Sequence, residues 1–323
     1  MNKIITAFLI LLSTTTLFAQ FPGAVGTIGT TAIFKDSSIF ISWATNCSVK
    51  RGYQDISNTS LGFASVGDST MALGIPGSNG VVSLGDGGFA IVTFVNPITN
   101  GNGFDFAVFE NSFSDVFLEL AFVEVSSDGV NFFRFPATSN TQITTQIGPF
   151  DNTGDATKIN NLAGKYRAQY GTPFDLQELI GLVGLDVNNI TQIKIIDVVG
   201  SINPLLATYD NSNNPINDPF PTAFASGGFD LDAVGVIHQQ TTGLNELNNS
   251  ISLVVYPNPV LYNQHLNIKC SEKINKIIVT NSAGVILLQL NETELQNIEI
   301  PKGLYFLKIL TDKGVAQTKI LIL

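Results

Sequence analysis

Short apolar runs, alternating with polar residues and broken by Gly-, Asn- and Pro-rich turns, recur along nearly the whole chain. Gly88–Val95, Phe104–Glu110, Leu118–Ser126, Asn131–Phe135, Ile190–Val199 and Phe229–Ile237 have strand length and strand composition. Gly85-Asp86-Gly87 and Ser127-Asp128-Gly129 read as hairpin turns, because Gly tolerates positive φ and Asp caps its own turn. Thr172–Leu179, with Pro173 at the first helical position, predicts a short helix, and another helical turn is expected near Ile159–Tyr166. Together these elements predict one jelly-roll-type β-sandwich over residues 21–238. A denser series follows: Ile251–Tyr256, His265–Lys269, Lys276–Thr280, Val285–Leu290, Leu304–Leu310 and Ala316–Leu323. Turns at Pro257-Asn258-Pro259, Ala283-Gly284 and Lys302-Gly303 punctuate it, which predicts a small immunoglobulin-like antiparallel sandwich over 251–323. The stretch 239–250 is polar and without apolar periodicity, and reads as a linker. The expected fold class is therefore all-β, in two domains.

The first twenty residues follow another pattern. Lys3 precedes an apolar run from Ile4 to Leu12, and Ala19 offers a cleavage point, so residues 1–20 read as a secretory signal peptide. No later stretch approaches the roughly 20 apolar residues of a membrane span. The expected mature protein is exported, with no membrane span and no lipid-bearing Cys after the apolar run.

Composition sharpens this picture. Only 13% of residues are charged, against about a quarter in average globular chains, so Asn, Ser, Thr and Gly supply much of the polarity. Charge divides along the chain: residues 20–249 hold 8 Lys and Arg against 21 Asp and Glu, and residues 250–323 hold 7 against 5. The overall charge of −10 argues against nucleic acid as a partner, since phosphate binding needs clustered Lys and Arg. Cys47 and Cys270 fall in different predicted domains and are not expected to pair.

Four landmarks in the C-terminal domain carry a resemblance. Tyr256–Pro259 (YPNP), Asn281–Gly284 (NSAG), Pro301–Ile309 (PKGLYFLKI) and the closing Lys319–Leu323 (KILIL) resemble the type A sorting domain of the Bacteroidota type IX secretion system. The resemblance implies passage through the periplasm and recognition by the outer-membrane translocon as partner. It also implies removal of the domain with release or surface attachment of the rest. In the larger domain, Val123–Phe135 (VEVSSDGVNFFRF) resembles a hairpin of galactose-binding-like sandwiches. Ser83–Gly88, Phe106–Asn111 and Gly228–Ile237 together resemble a family of secreted bacterial cell-surface proteins. More remotely, the domain is similar to surface proteins found beside cobalamin-uptake systems.

Candidate chemistry is sparse. Strand alternation would put Asp230 and Asp232 on one face about 7 Å apart. That spacing suits an acid–base pair for glycan hydrolysis, oxygen ligands for Ca²⁺, or two structural carboxylates. Asp210, Ser212, Asn214 and Asp218 alternate like a calcium loop, yet Pro215 and Pro221 replace the Gly and Glu of an EF-hand, leaving an irregular calcium loop or a solvated Asx-rich turn. Asp151–Asp155 is a second Asx-rich loop. The candidate metal ligands are thus Asp210, Asn214, Asp218, Asp230 and Asp232, for a structural Ca²⁺. Glu110 ends a heavily apolar strand, where it either pairs with Arg134 or Lys194 or points into a cleft. Trp43 and Tyr209, with Glu110, are the candidates for a ligand site, since aromatic rings stack on sugar faces. With only two His, 238 and 265, and no GxSxG elbow, no catalytic residues are assigned. The leading expectation is a non-catalytic surface or secreted protein binding a glycan or other small ligand. The alternatives are corrinoid capture for a TonB-dependent transporter and a carboxylate-based glycan hydrolase or lyase.

Overall fold

A computed structural model describes residues 21–240, 251–282, 284–291 and 300–323. The predicted signal peptide and most of the predicted linker lie outside the described residues. Contacts divide the chain into two compact units, residues 1–241 and 242–323, and each is described by itself.

Among the described residues of the first unit thirteen strands follow in order: β1 (Ile33–Phe34), β2 (Ser42–Trp43), β3 (Asn46–Lys50), β4 (Val82–Ser83), β5 (Phe89–Ile98), β6 (Phe106–Glu110), β7 (Ala121–Ser126), β8 (Phe133–Arg134), β9 (Thr138–Ser139), β10 (Ile159–Asn160), β11 (Tyr170–Phe174), β12 (Ile190–Asp197) and β13 (Asp230–Val236). One sheet has the order β1-β11-β6-β13-β2, with β4 also on β13; a second runs β3-β5-β12-β7-β8, and β9 and β10 form a separate two-stranded pair. The long strands alternate between the sheets: β5 in one, β6 in the other, then β7, β11, β12 and β13 in turn. This is the wrapping of a jelly roll.

Alternation explains the layers. Phe106 and Val108 of β6, Phe174 of β11 and Leu231, Val234 and Val236 of β13 meet Ala90, Val92, Val123, Val125, Ile193 and Ile195 from the opposing sheet in one buried core. The Phe106 and Phe174 rings stack 5.3 Å apart, and Phe135 tilts against both. The other face of the first sheet carries a small cluster of Ala107, Phe109 and Ala233 under Phe40 and Trp43. Leu118, Leu120, Phe122 and Ile159 make a third.

Three local expectations need correction. Thr172–Leu179 is not one helix: Tyr170–Phe174 is a strand, and only Leu176–Leu179 forms a 3₁₀ turn. Pro173 is tolerated because β1 pairs only with Tyr170 and Gly171, so at Pro173 that side of β11 is an edge and its missing N–H breaks no ladder. Asp175 then starts the turn by accepting the Gln177 amide at 2.9 Å. At Ile159–Tyr166, Ile159–Asn160 is a strand, preceded by a 3₁₀ turn at Ala156–Lys158. The turn at Asp86 joins strands of different sheets, β4 and β5, and makes no hairpin. Asp128 does cap a true hairpin between β7 and β8, accepting from Val130 and Asn131 at 2.8 Å.

The described residues of the second unit form six strands, β14 (Leu253–Tyr256), β15 (Asn267–Cys270), β16 (Ile274–Thr280), β17 (Ile286–Leu290), β18 (Gly303–Thr311) and β19 (Gly314–Ile322). They form a β14-β15 pair and a β17-β16-β18-β19 sheet. Val260, Leu266, Ile277, Leu307, Ile309, Ile320 and Ile322 fill the space between, with Leu253, Val255 and Ile268 packed against them. Asn258 clamps the closing strand: its amide donates to Lys319 O at 2.7 Å, and its carbonyl accepts Leu321 N at 3.0 Å. Each unit therefore owns its core. Residues 21–240 expressed alone should give a cooperative, β-rich thermal transition close to that of the full chain in circular dichroism. An aggregated or molten product would refute independent folding.

Candidate functional site

One end of the large sandwich gathers carboxylates. Antiparallel pairing puts the last residue of β6, Glu110, opposite Leu231 near the start of β13. The first residue of β13, Asp230, pairs with Ser83 of β4. Across the core, the last residue of β12, Asp197, pairs with Ala121 at the start of β7, just after Glu119. Hydrogen bonds tie these strand ends together across the two sheets. Phe229 N donates to Asp197 Oδ1 at 2.7 Å, and Leu84 N donates to Phe229 O at 2.9 Å. Gly87 N reaches Asp197 Oδ2 at 3.0 Å, which brings Asp86 alongside, and Leu120 N reaches Asp218 Oδ2 at 3.0 Å. Gly228 has φ 72°, and a Cβ there would stand 2.7 Å from Asp197 Oδ1, so glycine is required where the carboxylate is seated.

Asp86, Glu110, Asp197, Asp218 and Asp230 are buried, and Glu119 is partly open to solvent. Burial raises the pKa of every one, and mutual repulsion adds to it for all but Asp230. Asp86 is pushed up to about 7, with Asp55 as its anionic neighbour. Glu119 rises to about 8 through burial and then Asp230. Asp230 rises to about 6, restrained by Ser83, Arg51 and Asn111. Glu110 lies well above the usual carboxylate range, through burial and then Glu119; so do Asp197, beside Asp86, and Asp218, beside Asp197. Arg51 is the nearby guanidinium, and it is already engaged by the carbonyls of Val66, Ser83 and Gly67. One oxygen is left over. Glu110 Oε2 accepts Ser112 N at 2.7 Å, but Glu110 Oε1 is buried with no hydrogen-bond partner.

Three aromatic pairs sit on the loops that leave these strand ends. The Tyr53 and Phe63 rings stack 4.8 Å apart, and Tyr53 O accepts Asp86 N at 2.7 Å. Phe113 and Phe117 stack at 5.1 Å on the loop after Glu110, and Phe113 is 78% exposed. Phe150 and Phe224 lie 5.5 Å apart, with Phe150 73% exposed; Phe224 O accepts the amide of Gly227, next to Gly228.

The residues singled out from sequence are divided among different surroundings. Asp210 is saturated by its own loop: Oδ1 accepts Ser212 N and Asn214 N at 2.9 Å, and Oδ2 accepts Ser139 N at 3.1 Å. That is an Asx-turn, and Asn214 belongs to it. The β13 register shifts between Leu231 and Ala233, so simple alternation does not hold for Asp230 and Asp232. Asp230 accepts from Ser83 Oγ, whereas Asp232 accepts Gly77 N at 2.9 Å. Among the described residues no three His, Cys, Asp or Glu side chains stand where they could hold a metal ion. Glu110 does not pair with Arg134 or Lys194, which both bind Glu124, at 2.8 and 3.5 Å. Trp43 packs against Phe40 and Phe109 at 5.0 and 5.6 Å and pairs with Gly235, farther along β13 than Glu110. Tyr209 is surface-exposed, its hydroxyl donating to Pro204 O at 3.5 Å. Cys47 and Cys270 are free thiols, and burial pushes Cys47 up to about 11.

Glu119, Asp197 and Asp86 were not candidates on sequence grounds. Their shared signal is an acid at the end of an apolar strand or in a Gly-rich turn, with no neighbouring Lys or Arg in sequence.

Residues 254–323 match the family model of the secretion system C-terminal sorting domain. No curated protein matches the chain significantly. Among solved structures, 28% of the chain is similar to 14% of PorZ, an essential surface component of the type IX secretion system of Porphyromonas gingivalis, at 17% identity and TM-score 0.19. The BSP domain of a biofilm associated protein aligns with 89% of the chain and 53% of its own length, at 10% identity and TM-score 0.18. These TM-scores are too low for either likeness to bear on the fold.

The raised carboxyl groups fix a pH dependence. Their folded pKa values exceed the unfolded ones, so the folded chain binds the extra protons, and the stability they lend at low pH is lost as pH rises through the folded values. With chelator present, Tm should fall steadily from about pH 5 to about pH 8, the window of Asp230, Asp86 and Glu119. A flat or rising calorimetric profile would show that these acids ionise at no cost.

Proposed function

We propose that this chain, which its sorting tail makes an exported cargo of a type IX secretion system, is a non-catalytic glycan-binding protein of the cell surface or surroundings. The carrying observation is the set of three aromatic pairs on loops at one end of the sandwich, with Phe113, Phe150 and Phe63 exposed to solvent. Rings held in pairs keep their orientation without further ordering on binding, and they offer the apolar face of a pyranose a flat partner. Neutral side chains at the rim, such as Asn111 beside Glu110, can accept and donate to sugar hydroxyls.

Binding is favoured over catalysis by where the acids lie. Asp197 and Asp218 are buried and hold backbone amides, and Asp230 holds Ser83, so none is presented to a substrate. His238, the histidine of the large unit, is fixed to Asp105 at 2.8 Å, and Asp105 also accepts Leu176 N and Gly101 N at 2.7 Å. That constellation ties two loops together and has no nucleophile beside it. Corrinoid capture would use the same rim, and a panel of ligands distinguishes it from glycan binding.

Two measurements test the reading. On a glycan array the full chain should select a subset of glycans, and Phe150→Ala and Phe113→Ala should each weaken binding about tenfold, the scale of losing one stacked ring. Preserved affinity in both variants would remove the aromatic rim from the site. For export, deleting Lys319–Leu323 takes away the half of β19 that Asn258 clamps and uncovers Val260 and Leu307. The truncated chain should accumulate in the periplasm of a type IX-competent cell, and unimpaired secretion would refute recognition through the completed tail.

A further inference from the structure

We propose that a crevice beside the Asp210 loop is a subsite for one uncharged sugar ring, a reading that rests on the glycan-binding role proposed above and adds a second contact to the aromatic rim. The crevice has a volume of about 330 Å³ and is lined by Ser139, Asn140, Thr141, Ile143 and Asn214. That volume is at the small end of the roughly 300–1,000 Å³ range of ligand pockets, which suits one ring better than a chain of them. The observation that points to a ligand is a hydroxyl without a partner. Ser139 is 3% exposed, and its Oγ makes no hydrogen bond. Folded proteins seldom leave a buried hydroxyl in that state, because its desolvation is then uncompensated. The backbone of Ser139, by contrast, is held: its N donates to Asp210 Oδ2 at 3.1 Å, and the residue pairs with Ile159 of β10.

Both walls are in place before anything binds. Asp210 Oδ1 accepts Ser212 N and Asn214 N at 2.9 Å, and Asn211 N donates to Ala137 O at 2.9 Å, which seats that loop beside β9. On the other wall, Asn217 is 1% exposed and donates to Gln142 O at 2.7 Å and Thr145 O at 2.9 Å. Gln142 Oε1 accepts Thr144 N and Thr145 N at 2.9 Å and closes the turn. A preformed site avoids the ordering cost of binding. The lining then selects the ligand. It carries two carboxamides, two hydroxyls and one aliphatic side chain, with no Lys, Arg, Asp or Glu among the described residues. The side chains of Asn140 and Thr141 make no hydrogen bond among the described residues, so their donors and acceptors remain for a ligand. Amides and hydroxyls both donate and accept, as sugar hydroxyls do. Ile143, 47% exposed, offers an apolar surface to the C–H face of a ring. A carboxylated or sulfated sugar would bring its charge to a site with no cation to match it. The segment from Ser139 to Phe150 carries both the crevice and one ring of the rim, which puts the two contacts on one stretch of chain.

Saturation-transfer NMR on the full-length protein is the test, with free neutral monosaccharides (hexoses, deoxyhexoses and N-acetylhexosamines) and the matching uronic acids as probes. At least one neutral sugar should bind in the millimolar range, and more tightly than its uronic acid. Ser139→Ala and Thr141→Val should each weaken that binding about fivefold, the scale of one neutral hydrogen bond. Ser139→Ala should at the same time leave Tm unchanged or raised, because the hydroxyl it removes bonds nothing within the protein. Should Ser139→Ala fail to fold, the near-isosteric Thr141→Val carries the same expectation for affinity. Phe150→Ala should leave the affinity for the free sugar unchanged. The proposal is overturned if no neutral sugar binds the wild-type chain, if the uronic acid binds as tightly, or if both hydroxyl variants keep full affinity. A Ser139→Ala chain that loses Tm together with affinity overturns it too, since the hydroxyl would then be structural. Glycan binding that Phe150→Ala weakens, with no free sugar bound, sinks the crevice and leaves the rim standing. A free sugar bound at the crevice, with glycan affinity intact in Phe113→Ala and Phe150→Ala, does the reverse.

Discussion

Removing a carboxylate from water is among the most expensive things a fold can do, and this sandwich does it repeatedly at one end. Asp86, Glu110, Asp197, Asp218 and Asp230 are buried there, with Glu119 at the margin and Arg51 as the nearby guanidinium. The strand ends are arranged around that constraint. Asp197 takes amides from the two segments that flank the core, Gly87 and Phe229, and so staples one sheet to the other. Asp218 holds the chain entering β7, and Asp230 holds β4 through Ser83. Hydrogen bonds to charged acceptors are roughly twice as strong as neutral ones, which gives these loops a definition that exposed turns would lack. The same carboxylates repel one another, so the end that is best defined is also the end most sensitive to protons or cations.

This constraint accounts for where the apolar surface is spent. Between the sheets, Phe and aliphatic side chains fill a continuous core. At the acidic end the interior is polar, and the aromatic pairs are displaced outward onto the loops, where Phe113 and Phe150 remain exposed. A rim of rings above buried negative charge is the feature that makes this end, rather than the Trp43 cluster, the candidate site. Trp43 is occupied in packing on the outer sheet face with Phe40 and Phe109.

Much of the fold was legible in the sequence, for reasons that can be named. Short apolar runs located the long strands β5, β6, β7, β12 and β13: β5 and β12 bury largely alternate residues, and β6, β7 and β13 are buried on both faces. YPNP and KILIL pointed to one structure, and the Asn258 clamp on β19 shows the physical tie between them. The failures are equally specific. Pro173 looked like a helix start because local propensity cannot see that β1 stops pairing at Gly171. Gly85-Asp86-Gly87 looked like a hairpin because a turn signal does not say which sheet the next strand joins. Asp230 and Asp232 looked like a face-sharing pair because a bulge between Leu231 and Ala233 is invisible to period-two counting. The acidic cluster itself was half visible: Glu110 and Asp230 stood out beside apolar runs, but their convergence with Glu119, Asp197 and Asp86 is a product of long-range register.

The two units divide their physics as well as their sequence. In the sorting domain every described buried residue is apolar or aromatic, and its fold rests on packing that any neutral aqueous compartment supports. In the large unit buried carboxyl groups with raised pKa values form a cluster that exists only when β4, β6, β7, β12 and β13 have met. Protons bind those groups more tightly in the folded chain than in the unfolded one, so part of their binding free energy is folding free energy. The tail can therefore be complete, and recognisable to the export machinery, whatever the ionic state of its cargo.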